Sequence, residues 1–154
     1  MPYPTGTPVD EAILDNIATV LATISAPSYH TTVRRVERHR PFGYPIVEFP
    51  AIVIDAPRVA WSDNVANRLA GDMSVVIRGM VDDRETGVEA VNWLAADIRK
   101  ALLLDTSRGG LACWTRVREQ ESFLNVGESG AFPSVDVEVL IHFRHQYDDP
   151  NTAL

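Results

Sequence analysis

The feature that most constrains the fold of this chain is a stretch of strict alternation near its C-terminal end. From Val135 to Phe143 every second residue is apolar, while the positions between them, beginning with Asp136, are mostly polar. Side chains of a β-strand alternate between two faces, so this pattern predicts a long strand with one buried and one polar face. A strand of this kind belongs to a sheet covered on one side only, which is typical of antiparallel sheets.

Two other stretches repeat their apolar residues at intervals of three and four, which is the period of an amphipathic helix. The first covers residues 8–25 and ends before Pro27. The second begins with Asp82 and Glu85, which are spaced like a capping box, and keeps its period as far as Leu102. The sequence therefore predicts one helix near the start of the chain and one in its middle.

Shorter runs of β-branched and alternating residues predict the remaining strands, at 30–38, 51–55, 72–81 and 111–124. Residues 56–71 have no clean period, so we expect a long loop there. The predicted fold is α+β, with a mainly antiparallel sheet, two helices packed on one face and the order α-β-β-β-α-β-β. We expect one domain over residues 1–154, with a flexible lead-in at 1–7 and a flexible tail at 148–154.

The net charge of the chain is −7. Such an acidic surface disfavours a gene-regulatory DNA-binding protein, although it is compatible with a channel through which DNA slides without being gripped. No apolar run approaches the roughly 18 to 20 residues of a membrane span, so we expect no membrane contact and synthesis in the cytoplasm. The single cysteine excludes an intrachain disulfide bond.

The stretch "IHFRHQYDDP" raises the question of a metal site, because it holds His142, His145, Asp148 and Asp149. Two histidines three positions apart point to opposite faces when they lie on a strand. The alternation described above predicts that they do. We therefore expect a solvated strand end here, without a metal ion.

The other candidates for catalytic chemistry have simpler structural explanations. Cys113 lies in a predicted strand beside Trp114, so we expect a buried structural cysteine rather than a nucleophile. Asp82 and Asp83 are explained by helix capping rather than by acid–base catalysis. No phosphate-binding, dinucleotide, hydrolase or metalloprotease motif is present. The sequence therefore predicts no enzymatic activity and no cofactor.

One basic cluster departs from the general acidity of the chain. It comprises Arg34, Arg35, Arg38, His39 and Arg40. One interpretation is a solvated strand edge, where charges discourage unwanted pairing with other strands. The other is an electrostatic contact to DNA phosphate or to an acidic neighbouring subunit, of which a contact between copies is simpler in an acidic chain.

Trp61 lies in the segment that is predicted to be a long loop. It either anchors that loop on the core or projects as an anchor into an interface, a role in which tryptophan is enriched. The sequence leaves both interpretations open.

Four segments in this order carry a resemblance to a known family: "FPAIVID", "MVDDRE", "VNWLAADIRKALL" and "VDVEVLIHFRHQYDDP". They follow a short N-terminal helix, and the last is a long strand that runs into Tyr147 and an Asp-Pro pair. In this order and spacing the chain resembles the tail terminator proteins of long-tailed bacteriophages, also described as tail completion or minor tail proteins. The resemblance covers residues 8–150.

This resemblance implies a structural virion protein at the junction of tail and neck, assembled in the host bacterial cytoplasm. Six copies would form a ring that caps the tail tube, ends its polymerisation and presents the surface on which the head docks. The implied partners are the tail tube protein, a neck or head-completion protein and, in a contractile tail, the sheath. DNA would pass through the central hole without sequence-specific binding. The role implies no catalytic residue and no cofactor.

A ring needs two different complementary surfaces on each subunit. We expect the basic segment Arg34–Arg40 to meet an acidic surface of the neighbour, with Asp148 and Asp149 after Tyr147 as one candidate. Neither the basic segment nor residues 56–71 match a motif of the family. Three rival interpretations are another head–tail connector or neck protein, a non-viral small binding module, and a small enzyme with a pocket of convergent polar groups.

Overall fold

The computed structural model describes residues 6–38, 46, 48–64, 67–82, 87–127 and 130–154, without the side chains of 63, 64 and 127. Within these ranges the protein is α+β, with two helices and a seven-stranded, mostly antiparallel sheet. The elements in chain order are α1 (Val9–Ala22), β1 (Arg35–Glu37), β2 (Ala51–Ile54), β3 (Arg58–Asn64), β4 (Arg68–Met80), α2 (Gly87–Leu103), β5 (Trp114–Gly127), β6 (Gly130–Gln146) and β7 (Asp149–Ala153).

The long central strands β4 and β6 organise the sheet. They pair antiparallel over their whole contact, from Arg68 opposite Gln146 to Met80 opposite Ser134. The main strand order is β1-β2-β4-β6-β5, while β3 extends the sheet beside β4 and β7 beside β6. The short pair of β1 and β2 is parallel, and the other described pairs are antiparallel.

The main core lies between this sheet and the two helices. The predicted alternation of β6 is confirmed, because the apolar residues from Val135 to Phe143 are completely buried at alternate positions. The same core contains Ile13 and Ile17 of α1 and Leu94 of α2. Both helices therefore pack on one face of the sheet, which we call the helix side, and burial of this apolar surface is the main force that stabilises the fold.

The opposite face of the sheet, which we call the helix-free face, carries only a small apolar cluster. Ala51, Val53 and Met80 lie there and are covered by Ile46 and Phe49. The Phe49 ring also stacks on Phe132 of β6. The rest of this face carries mostly polar and charged side chains at the positions that alternate with the core residues, together with apolar residues such as Val76, Leu140 and Phe123.

The predicted long loop at residues 56–71 is wrong. Most of this segment is the β3–β4 hairpin, in which Arg58 pairs with Ser74 and Asn64 with Arg68. The turn includes Asn67 at a positive φ of 61°. Asparagine tolerates this conformation better than most residues. The strand has no apolar period because it lies at an edge and is largely exposed, so burial imposes no alternation on its sequence.

The predicted element order is wrong at a second place, because the expected flexible tail at 148–154 contains strand β7. Asp149, the first residue of this strand, accepts hydrogen bonds from Asn151 N and Thr152 Oγ1. The strand then pairs with the end of β6, where Ala153 lies opposite His145. The real order is thus α-β-β-β-β-α-β-β-β. Residues 1–5 of the predicted lead-in at 1–7 lie outside the described ranges, as do the predicted capping residues Asp83 and Glu85.

Candidate functional site

The basic segment is partly neutralised by the chain itself. Arg38 Nη1 lies 2.6 Å from Glu11 Oε1 and 2.6 Å from Asp15 Oδ1, both on α1. Arg35 Nε lies 2.8 Å from Glu37 Oε1 within β1, and Arg34 is exposed. The hydrogen bond from Arg38 lowers the pKa of Glu11, and the same contact raises the pKa of Arg38. Arg38 therefore ties β1 to α1.

The described residues leave only part of the predicted basic contact available to another molecule. Arg40 and His39 lie outside the described ranges, and Arg38 is held by α1. Arg34 is exposed, and Arg35 is half-exposed although it has an acid beside it. A contact from this segment to a neighbouring subunit remains a prediction, which now rests on Arg34 and Arg35.

The C-terminal candidates have different environments. Tyr147 is 57% exposed, and its backbone N–H donates to the carbonyl of Asn67 in the β3–β4 turn. Asp148 is exposed. The hydrogen bonds from Thr152 and Asn151 lower the pKa of Asp149, so this carboxylate stabilises the first residues of β7. The contact of Tyr147, Asp148 and Asp149 with a neighbouring subunit stays a prediction.

Trp61 is packed against the core and is also partly exposed, so it has features of both a loop anchor and an interface anchor. Its ring contacts Phe143 and His145 edge-on, with centroid distances of 5.4 and 5.3 Å. Gly71, on the neighbouring strand, leaves the space for this packing, because a Cβ atom there would lie 2.7 Å from Phe143 and 3.0 Å from Trp61. The ring therefore anchors the β3–β4 hairpin on the helix side, while 46% of the residue stays exposed.

The two histidines of "IHFRHQYDDP" lie on opposite faces of β6, as predicted. His145 is buried on the helix side next to Trp61. His142 lies on the helix-free face, where its Nδ1 is 2.6 Å from Asp72 Oδ1 and its ring stacks on Trp114. Across the described ranges, no three side chains of the metal-binding types lie together.

The predicted burial of Cys113 is wrong, because this residue is exposed. Strand β5 begins only at Trp114, and Cys113 lies in the bend that leads into it. The alternation toward the core starts with Thr115, which is 3% exposed. The neighbouring tryptophan was a misleading signal of burial, because its ring lies on the helix-free face between His142 and Arg116.

A larger surface that the sequence did not reveal lies at the tip of the β5–β6 hairpin. Leu124 and Val126 are 59% and 75% exposed, and they lie opposite Pro133 and Ala131 on the helix side. The hairpin projects beyond α2, whose first residue, Gly87, approaches Pro133. Val88 in the first turn of α2 is 73% exposed. We call this surface the hairpin shelf; it comprises Val88, Leu124, Val126, Ala131 and Pro133.

A sequence signal for the hairpin shelf does exist. The apolar residues Leu124 and Val126 precede the glycine-punctuated turn, and Ala131 and Pro133 follow it at matching distances. In a hairpin, residues at matching distances from the turn face each other on one side. This symmetry predicts an apolar face, but only the tertiary structure decides that Leu124 and Val126 on it are exposed.

A second exposed apolar surface lies at the other end of α2. Leu103 and Leu104 are 45% and 73% exposed. They follow Val88 by 15 and 16 residues, which corresponds to about 23 Å along a helix. We call this surface the α2 terminus. Trp93 lies between the two surfaces, is 49% exposed, and stacks on His30.

Charged side chains dominate the helix-free face. Some of them form cross-strand pairs: Arg78 donates two hydrogen bonds to Asp136, and Arg118 Nη1 lies 3.9 Å from Glu138 Oε1. The pair with Asp136 raises the pKa of Arg78. Four further arginines, which we call the arginine field, lie on this face: Arg58, Arg68, Arg116 and Arg144.

Buried polar residues hold the loops on the helix side. Asp97 is 2% exposed and accepts hydrogen bonds from the backbone N–H groups of His30 and Thr31. Arg108 is completely buried and donates to the backbone carbonyls of Leu102 and Asp105, so it caps the end of α2. Burial lowers the pKa of Arg108. These residues are structural, and neither lies in a pocket with convergent reactive groups.

Comparison with protein-family models gives no match, and comparison with curated proteins gives none either. Among the described residues, no helix has the length and apolar content that a membrane span requires.

Proposed function

We propose that this chain is a tail terminator protein, which forms a six-membered ring on the end of a bacteriophage tail tube. The observation that carries the proposal is the presence of two separate exposed apolar surfaces, the hairpin shelf and the α2 terminus, at opposite ends of one helix. Exposed apolar surfaces of this kind mark sites of protein association. Two different surfaces on one subunit are what a ring requires.

A contact between two different surfaces of the same chain is heterologous. When each copy is rotated by a constant angle relative to the previous one, such contacts close into a ring. In the proposed ring the hairpin shelf of one subunit packs against the α2 terminus of the next. The β5–β6 hairpin suits this contact, because it projects past the helix layer and can reach a neighbouring molecule.

The distribution of the remaining surfaces is compatible with the proposed partners. Arg34 and Arg35 belong to the short edge strand region at β1, whereas Trp61 and Tyr147 lie near the β3–β4 turn. Tail tube, neck protein and, in a contractile tail, sheath would each need a contact surface besides the ring interface. Half-exposed aromatic residues such as Trp61 are typical anchors of protein interfaces.

The native mass of the protein tests the ring. We expect sedimentation velocity to give about six times the chain mass of 17.0 kDa for the wild type, with a central hole visible by electron microscopy. The double substitution Leu124→Ser and Val126→Ser should yield monomers with an unchanged unfolding midpoint, because both side chains are exposed in the free subunit.

Leu154→Ser is the matched control, since it also replaces an exposed leucine but lies outside both surfaces. It should leave the ring intact. A wild-type protein that stays monomeric at about 100 μM, without and with tail tubes, would contradict the proposal. Rings that persist in the Leu124→Ser, Val126→Ser variant would instead contradict the assignment of the hairpin shelf as the contact surface.

A further inference from the structure

We propose that the helix-free face binds the phosphate backbone of double-stranded DNA through the arginine field. The inference deepens the proposed function and rests on it in one respect: in the ring, this face would line the DNA channel. The binding itself is a property of the subunit and can be measured separately from ring formation.

The arginines come from four different strands but share one face of the sheet. Arg58 and Arg116 lie in one row across β3, β4, β6 and β5, through Ser74 and Leu140. Three strand spacings separate them, which is about 14 Å. Arg144 lies opposite Ala70, so Arg68 is displaced from it by one strand and two residues. The field therefore forms a flat cationic area about as wide as four strands.

The side chains of the arginine field differ from the other described arginines of this face, which form ion pairs with carboxylates of the same chain. Within the described residues, Arg78 and Arg118 have carboxylates within 4 Å, whereas no such pair involves a member of the field. Of the acids nearest in the sheet, Asp72 contacts His142 and Glu138 lies beside Arg118, while Glu119 and Glu121 of β5 also belong to this face. The excess of positive charge is therefore greatest around Arg58, Arg68 and Arg144, in a chain with a net charge of −7.

Two members of the field are held in place by their surroundings. The guanidinium carbon of Arg116 lies 4.3 Å from the centroid of the Trp114 ring, which in turn stacks on His142. Arg144 is half-buried, and its Nε is buried without a hydrogen-bond partner among the described residues, so packing restricts this side chain. A guanidinium group with a restricted orientation loses less entropy when it binds an anion. Its planar donors match the geometry of a phosphate group.

The composition of the face favours DNA over an acidic protein surface. Protein interfaces have an apolar centre. In the described part of the chain, the exposed large apolar residues lie on the helix side, on α2 or in the C-terminal turn and end. Leu140, which lies inside the arginine field, is half-buried, whereas Arg58, Arg68 and Arg116 are exposed. A flat sheet face also does not enter a groove to read base edges, so the binding should be independent of sequence.

The release of counterions from DNA determines how strongly the binding should depend on salt concentration. Each neutralised phosphate changes the slope of log K against log salt by about −0.9 for duplex DNA, so four contacts predict a slope of about −3.6. The affinity should be in the non-specific range, with a Kd of roughly 10⁻⁴ to 10⁻⁶ M.

The test is fluorescence anisotropy with a labelled 20-base-pair duplex, in a salt series from about 50 to 200 mM. We expect the double substitution Arg58→Gln and Arg116→Gln to reduce the slope by about 2 units and the affinity roughly tenfold to a hundredfold. The matched control is Arg38→Gln with Arg99→Gln, which removes the same charge from the helix side. This control should retain the wild-type slope.

Equal slopes of log K against log salt for the two double variants would overturn the inference, because they would show that DNA binding depends only on the net charge of the chain. Absence of wild-type binding at 50 mM salt would also overturn it. Sedimentation velocity on the same samples separates the two proposals. Rings without DNA binding contradict only this inference, and DNA binding by a protein that never forms rings contradicts only the terminator function. A third outcome would assign the arginine field to a contact between copies of the chain. In that outcome the wild type does not bind DNA, and only the Arg58→Gln, Arg116→Gln variant loses the rings.

Discussion

At the scale of single residues, a few buried polar side chains determine which loops are held against the core. Asp97 is the clearest case, because both of its carboxylate oxygens accept hydrogen bonds from a loop that is far away in the sequence. Lys100, one turn further along α2, donates to the carbonyl of Ser28 and lies over the Tyr29 ring. The loop between α1 and β1 is thereby fastened to α2.

Replacing Asp97 should loosen this attachment. We expect Asp97→Ala to lower the free energy of unfolding by about 2 to 3 kcal/mol, because two backbone N–H groups lose a charged partner in a buried place. Asp97→Asn keeps one acceptor oxygen and should lose less. Urea unfolding of the three proteins measures the difference, and equal stability of Asp97→Ala and wild type would show that the loop does not depend on this residue.

At the scale of secondary-structure elements, α1 is tied to the rest of the molecule by charge as well as by apolar packing. The side chain of Arg38 follows β1 and contacts Glu11 and Asp15, which lie one turn apart on the outer surface of α1. These groups are partly exposed, so each contact stabilises the protein only modestly. The contact nevertheless gives the attachment of α1 a dependence on pH.

The sign of this dependence follows from the lowered pKa of Glu11. A carboxyl group whose pKa is lower in the folded state stabilises the protein above its ordinary pKa, which is 4.5 here, and loses that effect as the pH falls through the folded value. Wild type should therefore be more stable than Arg38→Gln near neutral pH. The difference should shrink from about pH 4.5 downward.

Urea unfolding of both proteins between about pH 7 and 3 measures this difference. The lowered pKa values of Asp105 and Asp149 are common to both proteins and cancel from it. Adding Glu11→Gln to Arg38→Gln should change little, because the partner has already been removed. A difference that stays constant down to pH 3 would contradict the role of Glu11.

At the scale of the whole molecule, the surfaces are separated by chemical type. The helix side and the ends of α2 carry the exposed apolar residues, whereas the helix-free face carries arginines and ion pairs. The chain as a whole is acidic, so like-charge repulsion between copies must be overcome where they meet. The basic segment near β1 offers one way to do this.

Charge reversal at this segment should therefore weaken assembly. We expect Arg34→Glu with Arg35→Glu to raise the concentration at which rings form and to make ring formation more sensitive to salt, because an attraction to an acidic neighbour becomes a repulsion. Arg38 is left unchanged to preserve the contact with α1. Sedimentation velocity over a dilution series measures the effect.

The control for this experiment is Arg99→Glu, a reversal on α2, where Arg99 is half-buried and donates a hydrogen bond to Gln120. Its single charge change should affect ring formation less than the double reversal does. If the double reversal leaves ring formation unchanged, Arg34 and Arg35 serve as a solvated strand edge, which is the other interpretation that the sequence leaves open.

The elements that could be predicted from the sequence are those that bury one face along their whole length. The alternation of β6 and the helical period of α1 and α2 are imposed by the core that these elements share. Strands β3 and β7 lie at edges and are mostly or partly exposed, so their sequences carry no comparable pattern. They were missed for that reason.

The sequence by itself determined the fold class, the two helices, the long strand and the placement of its two histidines on opposite faces, because each follows from a local period. The tertiary structure alone decided that Arg38 contacts α1, that Cys113 is exposed, and that four arginines from separate strands lie together on one face. It also decided that Leu124 and Val126, near the end of the β5–β6 hairpin, are exposed. These features depend on strand register and on where the helix layer ends, which residues distant in the sequence set jointly.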